Sequence, residues 1–340
     1  MTNLLSYNGG EIGASKNPMN YTINYVPSLI LTGISSSLSI LGSVFIFLQF
    51  FIERRRSFTY RLLVFLTLAD CLSAFGNILG VIRYAEFDRD VVISENEPCD
   101  SDPLCVIQSF ITVFACLASF WWTFFTAFNH FLHQLDSRCL EKNSVHVLCH
   151  LCGWGCPVTI AVIALSYDVL GEGFSGGSGP WCWIKDCTSS SPSPGAWMAI
   201  TGKGWEITAY FVTFAIYMLS KFNNYRFQRS RDQLLLPEPH SSTSYGSLSM
   251  EGHSVNQDVQ EDERFGLLWI FLYMYLTRVW GTIRYIIFLT HDGSSYRSFF
   301  NKFDDGLFYL QSIGDSAQAF VNFLGFVVLP KWKNFTENRL

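Results

Sequence analysis

The sequence predicts an all-α integral membrane protein, a seven-helix bundle with its amino terminus outside. Three observations lead there: a composition short of charge, seven long apolar segments, and an uneven distribution of Lys and Arg. Of 340 residues, 49% are hydrophobic, 16% aromatic and only 15% charged, against about 25% charged in a typical soluble domain. Such a chain has lipid rather than water as its principal solvent.

A membrane-crossing helix needs roughly 20 mostly apolar residues. Segments of that kind fall at 26–52, 62–84, 105–133, 145–168, 197–220, 266–290 and 305–329. The stretch from Cys105 to Leu135 contains no Asp, Glu, Lys or Arg, so it exceeds what a bilayer requires and is expected to tilt. With the amino terminus outside, the inner segments 53–61, 134–144, 221–265 and 331–340 carry fourteen Lys and Arg, and the outer ones six, counting Arg83 at its span's rim. Basic residues favour the cytoplasmic side, which sets the orientation. The first outer loop is acidic, from Glu86 through Asp102, and reads as a solvated face.

Residues 1–25 form a polar outer segment with no basic start followed by an apolar core, so no cleavable signal peptide is expected there. Asn20-Tyr21-Thr22 makes Asn20 a glycosylation candidate, whereas Asn334-Phe335-Thr336 falls on the inner side and is expected to be unmodified. The third inner loop, 221–265, opens with Lys221, Arg226, Arg229 and Arg231 and passes through Pro237 and Pro239 into a Ser/Gly-rich run. That composition predicts disorder, with the run of serines as phosphate acceptors or simply as linker. A short inner tail, 331–340, completes the division.

Four cysteines fall on the outer side. Cys105, at the mouth of the third helix, is expected to pair with Cys182 in Trp181-Cys182-Trp183, pinning the second outer loop across the bundle as a lid. Cys99 with Cys187 then follows by elimination, although spacing alone does not fix connectivity. Cys149, Cys152 and Cys156 share one face of the fourth helix. One straight helix does not readily surround a tetrahedral ion, so close packing is the preferred reading and no metal is expected.

Six ionisable side chains lie well inside the spans: Asp70, Lys203, Glu206, Arg278, Arg284 and Asp315. Such groups are costly in a bilayer, turn inward, and mark function. Lys203 and Arg284 each sit six residues from the outer end of their spans, roughly 9 Å deep at 1.5 Å per residue. They are candidates for a shared anion site, although Glu206, three residues on from Lys203, could neutralise it instead. Trp181, Trp183 and Trp205 could line that pocket, or simply sit at the membrane interface. Arg278 and Asp315 approach the midplane and are expected to pair, directly or through water, and Asp70 has Ser119 or Asn322 as neighbours for a cation or a polar network.

Several short stretches, in order, carry a resemblance. They are Leu66-Thr67-Leu68-Ala69-Asp70, Cys105, Ser119-Phe120-Trp121-Trp122-Thr123, Trp154-Gly155, Trp181-Cys182-Trp183-Ile184, Thr201-Gly202-Lys203-Gly204-Trp205-Glu206, and Arg278-Val279-Trp280 through Arg284. Together they resemble the cyclic-AMP-receptor-like seven-transmembrane receptors, over residues from about 30 to 325. The resemblance implies a G-protein-coupled-receptor-like fold in the plasma membrane. It also implies a small extracellular ligand and coupling to a heterotrimeric G protein through the inner ends of the third, fifth and sixth helices, where His130, Arg226, Arg229 and Arg231 stand. Asn129-His130-Phe131 occupies the place of the Asp-Arg-Tyr triplet of rhodopsin-like receptors, and the seventh helix lacks an Asn-Pro-x-x-Tyr pattern. The activation switches of that class therefore do not transfer.

No nucleophile elbow or Gly-rich phosphate loop is present, so neither an enzyme nor a cofactor is expected, and nucleic acid is not an expected partner. A retinal protein would need a lysine in the seventh helix, and none lies between Lys302 and Lys331. A transporter or channel is permitted by the buried charges but has no inverted repeat to support it. A ligand-independent membrane adaptor is the remaining alternative.

Overall fold

The apolar segments fold as helices because a backbone without water must satisfy its own N–H and C=O groups within one segment. The structure, a computed structural model, describes residues 25–52, 58–86, 102–135, 142–172, 181–185, 192–234, 272–290 and 300–329. These are nearly all helical. In chain order, α1 is Tyr25–Ile52, α2 Phe58–Glu86, α3 Pro103–Gln134, α4 Asn143–His150 and α5 Cys156–Ser166. Then come α6 Pro194–Met198, α7 Gly204–Leu234, α8 over 272–290, and α9 Phe300–Phe323.

Wide π-type turns continue three of these helices without a break: Leu151–Gly155 joins α4 to α5, Ala199–Lys203 joins α6 to α7, and Leu324–Val328 follows α9. The first has an evident cause. Pro157 has no N–H for the carbonyl four residues back, and the helix widens there instead of closing a normal turn.

Among the described residues, four rods are long and apolar enough to cross a membrane: Val26–Ile52, Phe58–Ala85, Pro103–Leu132 and Asn143–Ser166. The helices built from the other three predicted spans carry the ionisable residues Lys203, Glu206, Arg278, Arg284 and Asp315 and are correspondingly less apolar. On α1 the burial pattern is inverted relative to a soluble helix. Ser28, Thr32, Ser35, Ser36, Ser39 and Ser43 are buried, while Ile30, Ile34, Leu41, Phe45 and Leu48 are exposed. Small polar residues face the bundle because they let backbones approach, and apolar ones face outward because hydrocarbon, not water, surrounds them.

The small faces make intimate contacts. On α9, the carbonyls of Ile313 and Ser316 accept hydrogen bonds from Ser35 (2.8 Å) and Ser39 (2.5 Å). Gly314 of α9 touches α8 so closely that an added Cβ would lie 1.8 Å from the Thr277 carbonyl oxygen. A second tight centre surrounds Trp122, which is buried against Gly153 and shares a cluster with Leu62, Leu66 and Cys149. Cys149 thus serves close packing between helices.

Several boundaries differ from expectation, α2 beginning at Phe58 rather than 62 and α9 at Phe300 rather than 305, and two others bear on the site and on the inner loop. Helix α7 runs on to Leu234, so residues 221–234 of the loop expected to be disordered are helical. Lys, Arg and Gln propagate a helix well once a nucleus exists, and the apolar part of α7 supplies that nucleus. Residues 235–265 lie outside the described set, as do 266–271 of the sixth predicted span, Asn20, Asn334 and the tail 331–340. The other difference is at the start of the fifth predicted span, where helix begins at Pro194 rather than at 197.

Replacing Gly314 by Ala is expected to force α8 and α9 apart and cost about 1–3 kcal/mol or more. Gly306→Ala, where an added Cβ meets nothing within 4 Å, should be neutral or slightly stabilising. Thermal unfolding of the two full-length variants in detergent checks the contrast.

Candidate functional site

At the end of the bundle where α3 begins, a short hairpin lies over the helices. Strands β1 Leu170–Gly171 and β2 Trp183–Ile184 pair antiparallel, Leu170 opposite Ile184. Three contacts hold β2 down on α3. Cys182 is disulfide-bonded to Cys105, its N–H donates to Gln108 Oε1 at 2.7 Å, and the Ser109 hydroxyl donates to the Trp183 carbonyl. Lys185 closes the turn by an ion pair to Asp168 at 2.8 Å. Asp168 has φ 52°, in the left-handed region that Asp tolerates better than most residues. Cys99 and Cys187 lie outside the described residues.

Beneath this lid is a cavity of about 60 Å³. Trp181 and Trp183 form its roof, Val113 and Phe120 part of its wall, and Lys203, Glu206, Arg278, Gln311 and Asp315 its charged and polar lining. Lys203, Glu206 and Arg278 are 5%, 2% and 3% exposed, so their charges depend on partners rather than on solvent.

Lys203 and Glu206 partner each other at 2.9 Å. The other oxygen of Glu206 accepts from Tyr210 at 3.0 Å and from the Thr282 hydroxyl. Glu206 therefore neutralises Lys203, the second of the two roles the sequence allows. Arg284 is not among the cavity-lining residues. It is bound by Asp304 at 2.9 Å and Gln311 at 2.8 Å, and lies 4.9 Å over the Phe308 ring. The matching depth expected of Lys203 and Arg284 does not bring them into one anion site. The earlier helix start at Pro194 and the wide turn Ala199–Lys203 put Lys203 opposite Gly281, within 2.7 Å of where a Cβ would stand. Arg284, farther along α8, reaches Asp304 instead.

Arg278 and Asp315 both face the cavity, yet they form no direct ion pair within 4.0 Å among the described residues. Arg278 donates to Cys116 Sγ at 3.7 Å and stacks 5.0 Å over Phe120, leaving Nη2 without a hydrogen-bond partner. Asp315 Oδ2 accepts from Gln311 at 3.0 Å, while Oδ1 is buried with none. The direct form of the expected pair is therefore absent.

Deeper in the bundle, Asp70 accepts from both residues expected near it, Ser119 at 2.6 Å and Asn322 at 2.7 Å. These bonds tie α2, α3 and α9 together. Trp205 is not among the cavity-lining residues. Its ring packs at a tilt against Trp121, centroids 5.6 Å apart, and it donates to the Ile200 carbonyl at 3.0 Å. At the far end of the bundle His130 is buried, and Arg226 and Arg229 are exposed on α7. The side chain of Arg231 lies outside the described set.

Residues 27–177 match the Frizzled/Smoothened family membrane region. G-protein coupled receptor 157 of Mus musculus is 29% identical over 236 residues, covering 69% of this chain and 63% of the relative. Cyclic AMP receptor-like protein A of Dictyostelium discoideum is 30% identical over 156 residues, 46% of this chain and 36% of the relative. G-protein coupled receptor 1 of Arabidopsis thaliana is 31% identical over 165 residues, 46% and 42%. The chain is similar to these membrane receptors over part of its length. The resemblance read from its short motifs is thus accompanied by similarity over 69% of the chain to G-protein coupled receptor 157 and over 46% to Cyclic AMP receptor-like protein A, and the chain spans less than two thirds of these relatives' own length.

Several polar residues at the site were not singled out from the sequence. Gln311 links Arg284 to Asp315, Asn77 donates to Ser316 at 2.9 Å, and Gln108 anchors the lid. Each is a neutral amide in a span, and the i, i+4 spacing of Gln311 and Asp315 was the available signal.

Lys203→Met and Glu206→Gln should each leave a buried charge without its partner and destabilise by about 3–5 kcal/mol. The double variant Lys203→Met/Glu206→Gln should lose less than the sum of the singles. Thermal unfolding of the four proteins in detergent gives the coupling directly.

Proposed function

We propose that this protein is a G-protein-coupled receptor of the plasma membrane, crossing it seven times with its amino terminus outside. Four crossings are the strongly apolar helices. The other three are the α6–α7 rod, α8 and α9, whose ionisable side chains turn toward the cavity or toward one another rather than toward lipid. The excess of Lys and Arg on 53–61, 134–144, 221–265 and 331–340 supports the orientation. In that frame 1–25 is the outer segment, 26–330 the membrane domain and 331–340 the inner tail.

The observation that carries the reading is the cavity itself. A lid tethered through Cys105–Cys182 covers a space lined by buried ionic groups, two of which retain unpartnered atoms. A small extracellular ligand with an anionic group fits there, met by Arg278 with Lys203 alongside. It acts by binding one of two bundle arrangements more tightly than the other. The elements lining the cavity also extend to the far end, where His130 and the exposed Arg226 and Arg229 stand ready for a heterotrimeric G protein, with Arg231 on the same helix. Shifting a two-state equilibrium from mostly inactive to mostly active takes on the order of 10⁴-fold preference for the active form. Ligand contacts to an Arg in a dry cavity are of the kind that supply such a preference. The names of the relatives support the receptor class and leave ligand and G protein open.

Full-length protein expressed with a panel of Gα subtypes should promote nucleotide exchange on at least one, basally or across a metabolite library. Arg278→Gln should weaken agonist potency about thirty-fold or more while surface expression persists. Unchanged potency would defeat the site assignment. An epitope added after Leu340 should be reachable only in permeabilised cells, and labelling of intact cells would defeat the orientation.

A further inference from the structure

Four charged side chains line the cavity, and they cancel: Lys203 and Arg278 against Glu206 and Asp315. Lys203 and Glu206 are satisfied by each other. The remaining two are not, because Arg278 Nη2 and Asp315 Oδ1 are both buried, lack hydrogen-bond partners among the described residues, and do not reach each other. We infer that the cavity under the tryptophan lid takes a small zwitterion, its anionic group on Arg278 and its ammonium on Asp315. The inference rests on the reading of this cavity as the ligand site.

The charge balance decides the class of guest. A simple anion would satisfy Arg278 but bring a second negative charge beside Asp315 in a space with little water to screen it. A simple cation would satisfy Asp315 and face Arg278. A guest carrying both charges completes both side chains and leaves the site neutral, which avoids the cost of an uncompensated charge in a low-dielectric interior. The guanidinium is well suited to a planar carboxylate, since it presents several donors on one edge. Dimensions limit the guest further. At about 10–15 Å³ for each water-sized group, the 60 Å³ cavity admits on the order of four to six non-hydrogen atoms. Val113, Phe120 and the two lid tryptophans supply an apolar wall for the few carbons between the charged ends.

The test measures occupancy without any G protein. Purified full-length protein in detergent is heated while its tryptophan fluorescence is followed, with glycine or β-alanine as zwitterions of increasing charge separation. Propionate and propylamine serve as singly charged controls at the same concentration. At least one zwitterion should raise the unfolding midpoint more than either control. In Asp315→Asn the advantage of that zwitterion over propionate should vanish, and in Arg278→Gln its advantage over propylamine should vanish. Equal or larger shifts from a singly charged probe, or no shift from any zwitterion, would overturn the inference, and the wild-type comparison decides this even if a variant fails to fold. Nucleotide exchange recorded in parallel bears on the receptor reading separately: a zwitterion that stabilises without activating any G protein counts against that reading and not against this one.

Discussion

A charge within an apolar bundle must find a partner, and that requirement organises the centre of this protein. Lys203 and Glu206 answer it within one helix, Arg284 and Asp304 across α8 and α9, and Asp70 through two neutral donors. Each arrangement fixes the rotation of the helices that contribute to it, since turning any of them would put an ionic group toward hydrocarbon. Arg278 and Asp315 are the exception. They line the cavity while each keeps a buried side-chain atom without a hydrogen-bond partner, which is why the cavity reads as a site rather than as a packing defect.

Such an arrangement needs helices that approach closely enough for short side chains to bridge them. The serine stripe of α1 meets α9 through backbone carbonyls, and Gly314 admits the Thr277 carbonyl. Gly281 leaves the space that Lys203 and Gln311 occupy. A bulkier residue at Gly314 would separate α8 from α9, and one at Gly281 would displace the Lys203 ammonium and the Gln311 amide, disturbing the bridges that Gln311 makes to Arg284 and Asp315. Packing and electrostatics are therefore not independent here. The lid belongs to the same construction, because its disulfide and the contacts from Gln108 and Ser109 all come from the first turns of α3, and that helix also supplies Phe120 beneath Arg278.

Much of the candidate site was legible as residues but not as partners. Trp181, Trp183, Lys203, Glu206, Arg278 and Asp315 were identified because ionic groups in apolar spans and tryptophans beside a cysteine stand out in any reading by composition. The pairing of Lys203 with Arg284 across an anion site failed because it relied on depth counted from helix ends. Pro194 starts the helix earlier and a π-type turn follows, so a count at 1.5 Å per residue from 197 misplaces Lys203. Gln311, Asn77 and Gln108 escaped notice because a neutral amide carries no penalty large enough to distinguish it from an ordinary polar residue in a span.

By itself the sequence determined the solvent and the kind of secondary structure. Long apolar segments in lipid leave helices as the only way to satisfy their backbone, and the six ionisable groups within the spans are visible in the chain wherever it is read. Only the tertiary structure decided which of those groups meet and which do not. Partner choice depends on the rotation and relative height of helices, and these are set by contacts such as Gly314 on Thr277 and Ser39 on Ser316 between segments distant in the chain.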